Sequence, residues 1–117
     1  LLSKVGSSLV QLDEVQAGLE QYEAARGVLE GLEILETSLG ASVLANIAVG
    51  NAQLGQNEEA REGFAAALGI MQELDTVGTP EGGSILLNLG VLEMEEGRLD
   101  DARGALEEAR DTFRDLG

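Results

Sequence analysis

The chain has 117 residues, 44% of them apolar and only Tyr22, Phe64 and Phe113 aromatic, a vocabulary of Leu, Ala and Val that suits one helical domain over residues 1–117 rather than a sheet. Cys and His are both absent, which excludes a disulfide framework, a thiolate or imidazole zinc site, and a Ser-His or Cys-His nucleophile pair. The net charge of −15 is shared equally by the three thirds of the sequence, so it belongs to a folded surface that repels nucleic acid and anionic lipid and attracts a basic peptide or protein.

Periodicity and punctuation predict six helices, near residues 2–18, 22–37, 41–54, 57–74, 80–96 and 99–116. The third carries Leu44, Ile47, Ala48 and Asn51 at helical spacing and is stopped by Gly55, a residue that tolerates positive φ. Asn57 is placed to cap the fourth, whose stripe is Ala60, Phe64, Ala67, Leu68, Met71 and Leu74. The stretch "LDTVGTPEGG" (74–83) reads as a loop plus an extra turn, with Thr79 as cap and Pro80 at the first helical position. The fifth helix stops at Gly97. The sixth carries Ala102, Leu106, Ala109, Phe113 and Leu116 on one stripe.

The last four helices repeat one another. "GQNEEAREGFAAAL" (55–68) and "GRLDDARGALEEAR" (97–110) stand 42 residues apart, and Leu44, Asn46, Ile47, Ala48 and Val49 fall on Leu86, Asn88, Leu89, Gly90 and Val91. A shift of 35 finds a weaker copy upstream, in which Ala17, Leu19, Glu23, Ala25 and Arg26 fall on Ala52, Leu54, Glu58, Ala60 and Arg61. Three copies of a two-helix unit are therefore expected, at about residues 2–38, 41–75 and 80–116.

This pattern resembles the tetratricopeptide repeat family. "NLGVLEMEEGRLDDARGALEEA" (88–109) carries its signature in Leu89-Gly90, Gly97, Ala102, Leu106 and Ala109, and the preceding unit follows with Ile47-Ala48, Gly55, Ala60, Phe64 and Ala67. The first unit departs: Glu20 replaces the turn Gly, Asp13 the small packing residue, and Leu32 the second Ala. The family's unit is 34 residues; the 42-residue spacing is similar to the longer variety of kinesin light chains and many bacterial signalling regulators. The resemblance implies a right-handed superhelical solenoid of three helix-turn-helix units. Ala48, Ala60, Ala67, Gly90, Ala102 and Ala109 would be the small contacts at which paired helices approach closely.

It also implies where recognition would reside. The free face of a first helix lines the concave side of such a solenoid and holds an extended or helical segment of a partner. Here that face is Ser42, Ala45, Asn46, Val49 and Gln53 in one unit, and Ser84, Leu87, Asn88, Val91 and Glu95 in the next, with Met94 beside it. Asn46 and Asn88 occupy matched positions. An amide offers donors and an acceptor to a peptide backbone; bonding to neighbouring helices is the other role open to it. The family's clamp for free C-terminal carboxylates needs cations, and Val10, Gln11, Glu14, Asn46, Ser84 and Asn88 stand at its positions, so such a ligand is not expected.

The remaining features point away from chemistry. The acid pairs at 58–59, 95–96, 100–101 and 107–108 lack a calcium-loop pattern and read as solvated faces. Arg26, Arg61 and Arg103 recur after the packing Ala and are expected to pair with acids on an adjacent helix. No metal, no cofactor and no catalysis are expected. The acid excess serves solubility, whether in high salt or in an ordinary cytoplasm. No apolar run of membrane-spanning length and no leader open the chain, and a cytoplasmic location is expected; a first residue of Leu1 rather than Met suggests a piece of a longer protein. The expected function is a non-catalytic module for a basic or amphipathic protein segment. The alternative is a scaffold that self-associates, as a homodimer, through the uncovered stripe of its last helix at Phe113 and Leu116.

Overall fold

The computed structural model describes residues 2–117, with side chains from Leu12 onward. Among these residues there are five α-helices and no strand: α1 (Leu2–Gly31), α2 (Ser38–Gln53), α3 (Asn57–Glu73), α4 (Pro80–Glu95) and α5 (Leu99–Asp115). Each packs against the next in chain order, and α2 also touches α4. The expected all-α repeat architecture is present, with α2/α3 and α4/α5 as two stacked helical hairpins.

The hairpin turns follow from their glycines. Gly55 and Gly97 adopt φ of +79° and +78°, a conformation that costs a side chain bearing Cβ but not Gly. The amides of Gln56 and Arg98 then return to the carbonyls of Asn51 and Glu93, each at 2.8 Å. Gln56 and Arg98, not Asn57, are the N-caps, and neither supplies a side-chain cap. The acid pairs Glu58-Glu59 and Asp100-Asp101 occupy the first turns of α3 and α5, where carboxylates interact favourably with unpaired amides and the helix dipole. That placement accounts for two of the four acid pairs without a metal.

The first unit corrects the expectation. No turn interrupts residues 18–22, and α1 runs unbroken to Gly31. Nothing local stops it there: Glu20, which the shift of 35 sets against the turn glycine, is a good helix former. The expected helices 2–18 and 22–37 are thus one, and six helices become five. α1 ends with Glu33 at φ +59°, and α3 ends with Asp75 at φ +58°. Thr37 and Thr79 then cap α2 and α4, accepting from the amides of Gly40 and Gly82 at 3.3 and 3.2 Å. Every element of this loop recurs at a spacing of 42.

Carried back into α1, that spacing sets Tyr22, Ala25 and Leu29 against Phe64, Ala67 and Met71. Leu29 and Met71 are both buried, at 6% and 3% exposure. The shift of 35 therefore places α1 out of register by seven residues. Two helical turns span about 7 residues, so both shifts put the same stripe on the same face, and the side-chain pattern of a helix alone cannot separate them.

Two clusters form the core. The larger joins Ala41, Ala45 and Ala48 of α2 to Ala60, Phe64, Ala67 and Met71 of α3, and on to Ile85, Leu86 and Leu92 of α4 and Ala109 of α5. The smaller joins Leu29 of α1 to Val43 and Ile47 of α2. Phe64 is buried at 1% exposure, and Ala48, Ala60 and Ala67 are fully covered at 0%. At the ends of the stripes, Leu74, Phe113 and Leu116 are 41%, 41% and 48% exposed.

The close approach is shared differently in the two hairpins. A Cβ on Gly63 would lie 2.9 Å from the Cβ of Ala48, whereas a Cβ on Gly90 would lie 2.7 Å from Cγ and Cδ2 of Leu106. Forty-two residues separate Ala48 from Gly90 and Gly63 from Ala105, so at these matched positions each hairpin carries one Ala and one Gly, on opposite helices. Gly63→Ala should cost about 1–2 kcal/mol through overpacking. Adding Ala48→Gly reproduces the arrangement of the last hairpin and should recover most of that loss. A double-mutant cycle by urea unfolding checks it, and strictly additive losses would contradict the pairing.

Candidate functional site

The first helices of the two hairpins lie side by side. Near their starts Ser42 Oγ donates to Glu81 Oε1 at 2.5 Å. Further along, the gap between them opens into a cavity of about 280 Å³ lined by Val49, Ala52, Gln53, Phe64, Asn88, Val91, Leu92 and Glu95. Val49, Gln53, Asn88, Val91 and Glu95, all expected on the concave face, are thus brought together. Asn46 is exposed on the same helix as Val49, one turn nearer its start.

Two expected face residues sit elsewhere. Ala45 is buried at 7% exposure and belongs to the core. α2 has neighbours in α1, α3 and α4, so more of its circumference is covered than that of an end helix. Its counterpart Leu87, on α4, remains 44% exposed. Met94 is also exposed, but it lines a separate groove formed with α5. Val10 and Gln11 lie outside the described side chains; Glu14 is exposed.

Side-chain hydrogen bonds run from Ser42 to Glu81, from Arg61 to Glu58 and Glu96, and from the threonines to nearby carbonyls. Among the described residues, neither Asn46 nor Asn88 spends its amide on a neighbouring helix. Both are exposed.

Beneath the groove an ion-pair network fixes α3 against α4. Arg61, with its side chain 15% exposed, donates to Glu58 on its own helix and to Glu96, the C-cap of α4, at 3.0 Å, and stands 4.0 Å from Glu93. The Glu58 hydrogen bond, reinforced by the charges of Glu96 and Glu93 against the opposing effect of burial, raises the guanidinium's pKa above its ordinary value. Glu93 is buried at 5% exposure; its Oε2 makes no hydrogen bond among the described residues and faces Arg98 at 3.8 Å. This buried acid was not legible in "LEMEE" (92–96), where it looks like part of a solvated run. Arg61 thus pairs across helices as expected. Arg26 instead bonds Glu23 and Glu30 within α1; at the spacing of 42 the counterpart of Arg61 in α1 is Leu19, not Arg26.

No described helix is long and apolar enough to cross a membrane. The profile described as tetratricopeptide repeat matches residues 40–115, which are the two hairpins. No curated protein matches the chain. Among solved structures, BtubC (BKLC) from P. vanneervenii superposes with a TM-score of 0.83 at 27% identity, over 90% of this chain and 41% of that one. The chain spans less than half the length of that relative.

Proposed function

This chain belongs to the tetratricopeptide repeat family, and from that premise we infer that it is a non-catalytic module holding a segment of another protein in the groove between α2 and α4. Members of the family generally mediate protein–protein interaction. The observation that carries the specific reading is the pairing of exposed Asn46 and Asn88 beside a small apolar cavity. Two amides 42 residues apart, on parallel positions of adjacent units, offer donors and acceptors to successive peptide units of an extended strand.

The cavity suits a side chain of such a segment. At about 280 Å³ it falls just under the roughly 300–1,000 Å³ of small-molecule sites. Its walls are Val49, Phe64, Val91 and Leu92, with Gln53 and Glu95 at the polar edge. An apolar side chain seated there, next to a Lys or Arg reaching Glu95, matches both the lining and the net charge of −15. The partner is therefore a basic or amphipathic protein segment.

Capture of partners by the array, followed by titration with the captured segment, tests the reading. Each of Asn46→Ala and Asn88→Ala should weaken binding about tenfold, the equivalent of one lost hydrogen-bonded contact. Unchanged affinity in the double variant would refute it. Both sites are exposed, so folding should be unaffected and the thermal midpoint serves as control.

A further inference from the structure

Charged residues tie the two hairpins together at the end of α4. Each nitrogen of the Arg61 guanidinium meets a different carboxylate: Nη2 that of Glu58, Nη1 that of Glu96 and Nε that of Glu93. Arg98 Nε stands 3.8 Å from the other carboxylate oxygen of Glu93. The chain also contains this junction with every one of these charges replaced. Shifted by 42, Glu58, Arg61, Glu93, Glu96 and Arg98 fall on Gln16, Leu19, Asn51, Leu54 and Gln56. There α1 packs on α2 as α3 packs on α4, and Leu19 stands where the guanidinium would, its Cδ1 3.0 Å from the place of a Cβ on Gly50.

Stacking therefore does not require the charges. Nor is a buried ion pair a good source of stability, because the cost of taking both charges out of water offsets their attraction. What a guanidinium does supply is geometry: a planar, rigid fork bonds carboxylates only along fixed directions, whereas apolar contacts tolerate sliding. The charges stand where geometry matters to the groove. Arg61 is one turn before Phe64, and Glu93 and Glu96 alternate with Leu92 and Glu95; Phe64, Leu92 and Glu95 all line the cavity. At the other end of α4, Glu81 in its first turn accepts from Ser42 of α2. Polar bonds thus hold both ends of α4 to the first hairpin, and its cavity-lining residues lie between them.

We propose that Arg61 is a positioning residue for the groove: with Glu93 and Glu96 it fixes the spacing of the two hairpins at which a protein segment fits between α2 and α4. The consequence for affinity rests on the groove reading given above. The spacing itself does not, and it is measured without a ligand.

The chain has no Cys, so Ala66→Cys on α3 and Glu107→Cys on α5, both at exposed positions, carry a pair of spin labels. Pulsed electron paramagnetic resonance then reads the distance between hairpins. Arg61→Leu with Glu93→Asn copies the α1/α2 junction, and Glu96→Leu is a milder change that leaves the buried pair in place. Both variants should broaden or displace a narrow wild-type distance distribution while the thermal midpoint holds. Affinity for the captured segment should fall about fivefold or more, in proportion to the molecules that leave the competent spacing. If the double variant unfolds, Glu96→Leu alone decides. An unmoved distribution overturns the proposal, and so does unchanged affinity in a chain whose affinity falls with Asn46→Ala and Asn88→Ala. If those two changes leave affinity unaltered, the groove reading fails, and the distance distribution still decides whether Arg61 fixes the spacing.

Discussion

Gly40→Ala and Gly82→Ala should be the most damaging single methyl groups that can be added to this protein. Each glycine is the third residue of its helix and donates its amide to the capping Thr. The loop before it is folded so tightly that a Cβ would lie 1.6 Å from the carbonyl oxygen of Leu35 at position 40, and 2.0 Å from that of Val77 at position 82. The obstacle is backbone, so no side-chain rotation relieves it, and the cap must open instead. A cost of at least about 3 kcal/mol is expected, at the upper end for overpacking, which lowers the thermal midpoint by more than about 10 °C in a chain of this size. Gly104→Ala is the control. A Cβ there meets nothing within 4 Å, and gaining a better helix former should stabilise by up to about 1 kcal/mol.

Ala60→Leu should come next, at about 3 kcal/mol, because Ala60 is fully covered where α2 and α3 cross under α4. Ala102→Leu at the matched site should cost about 1 kcal/mol or less. Ala102 is buried at 3% exposure but lines the groove that holds Met94 and Leu99, into which a longer side chain can turn. Urea midpoints measured on both variants check the difference. Equal costs would mean that α4 does not close over the first hairpin as described.

These residues also show what the sequence reveals and what it hides. The boundaries of α3, α4 and α5 were legible to within a residue because Gly55, Gly97 and Thr79-Pro80 are physical stops and starts. The break expected between residues 18 and 22 rested on the shift of 35, which set Glu20 against Gly55; at the spacing of 42 the residue matching Gly55 is Asp13, and α1 runs through both. The register of α1 was hidden for a physical reason. A seven-residue slip is nearly two turns and leaves a helical stripe on its face, so apolar matches could not fix it. The loop could have done so, since Thr37 and Gly40 stand 42 residues before Thr79 and Gly82.

The groove was legible in part. Asn46, Val49, Gln53, Asn88, Val91 and Glu95 follow from helical spacing alone, and they share one side of α2 and α4. Ala45 and Met94 did not, because their surroundings depend on how many helices flank their own. Arg61 was expected to pair across helices, but nothing local marks Glu93 as the acid that the stack would bury beside it.

Amide chemical-shift mapping of the array with its captured protein segment tests the functional account most directly. The account predicts that shifts concentrate at Asn46, Val49, Gln53, Asn88, Val91 and Glu95, and that the side-chain amides of both asparagines move together. Shifts confined to α1 or to the α3 surface away from α4, with both side-chain amides unmoved at saturation, would contradict it.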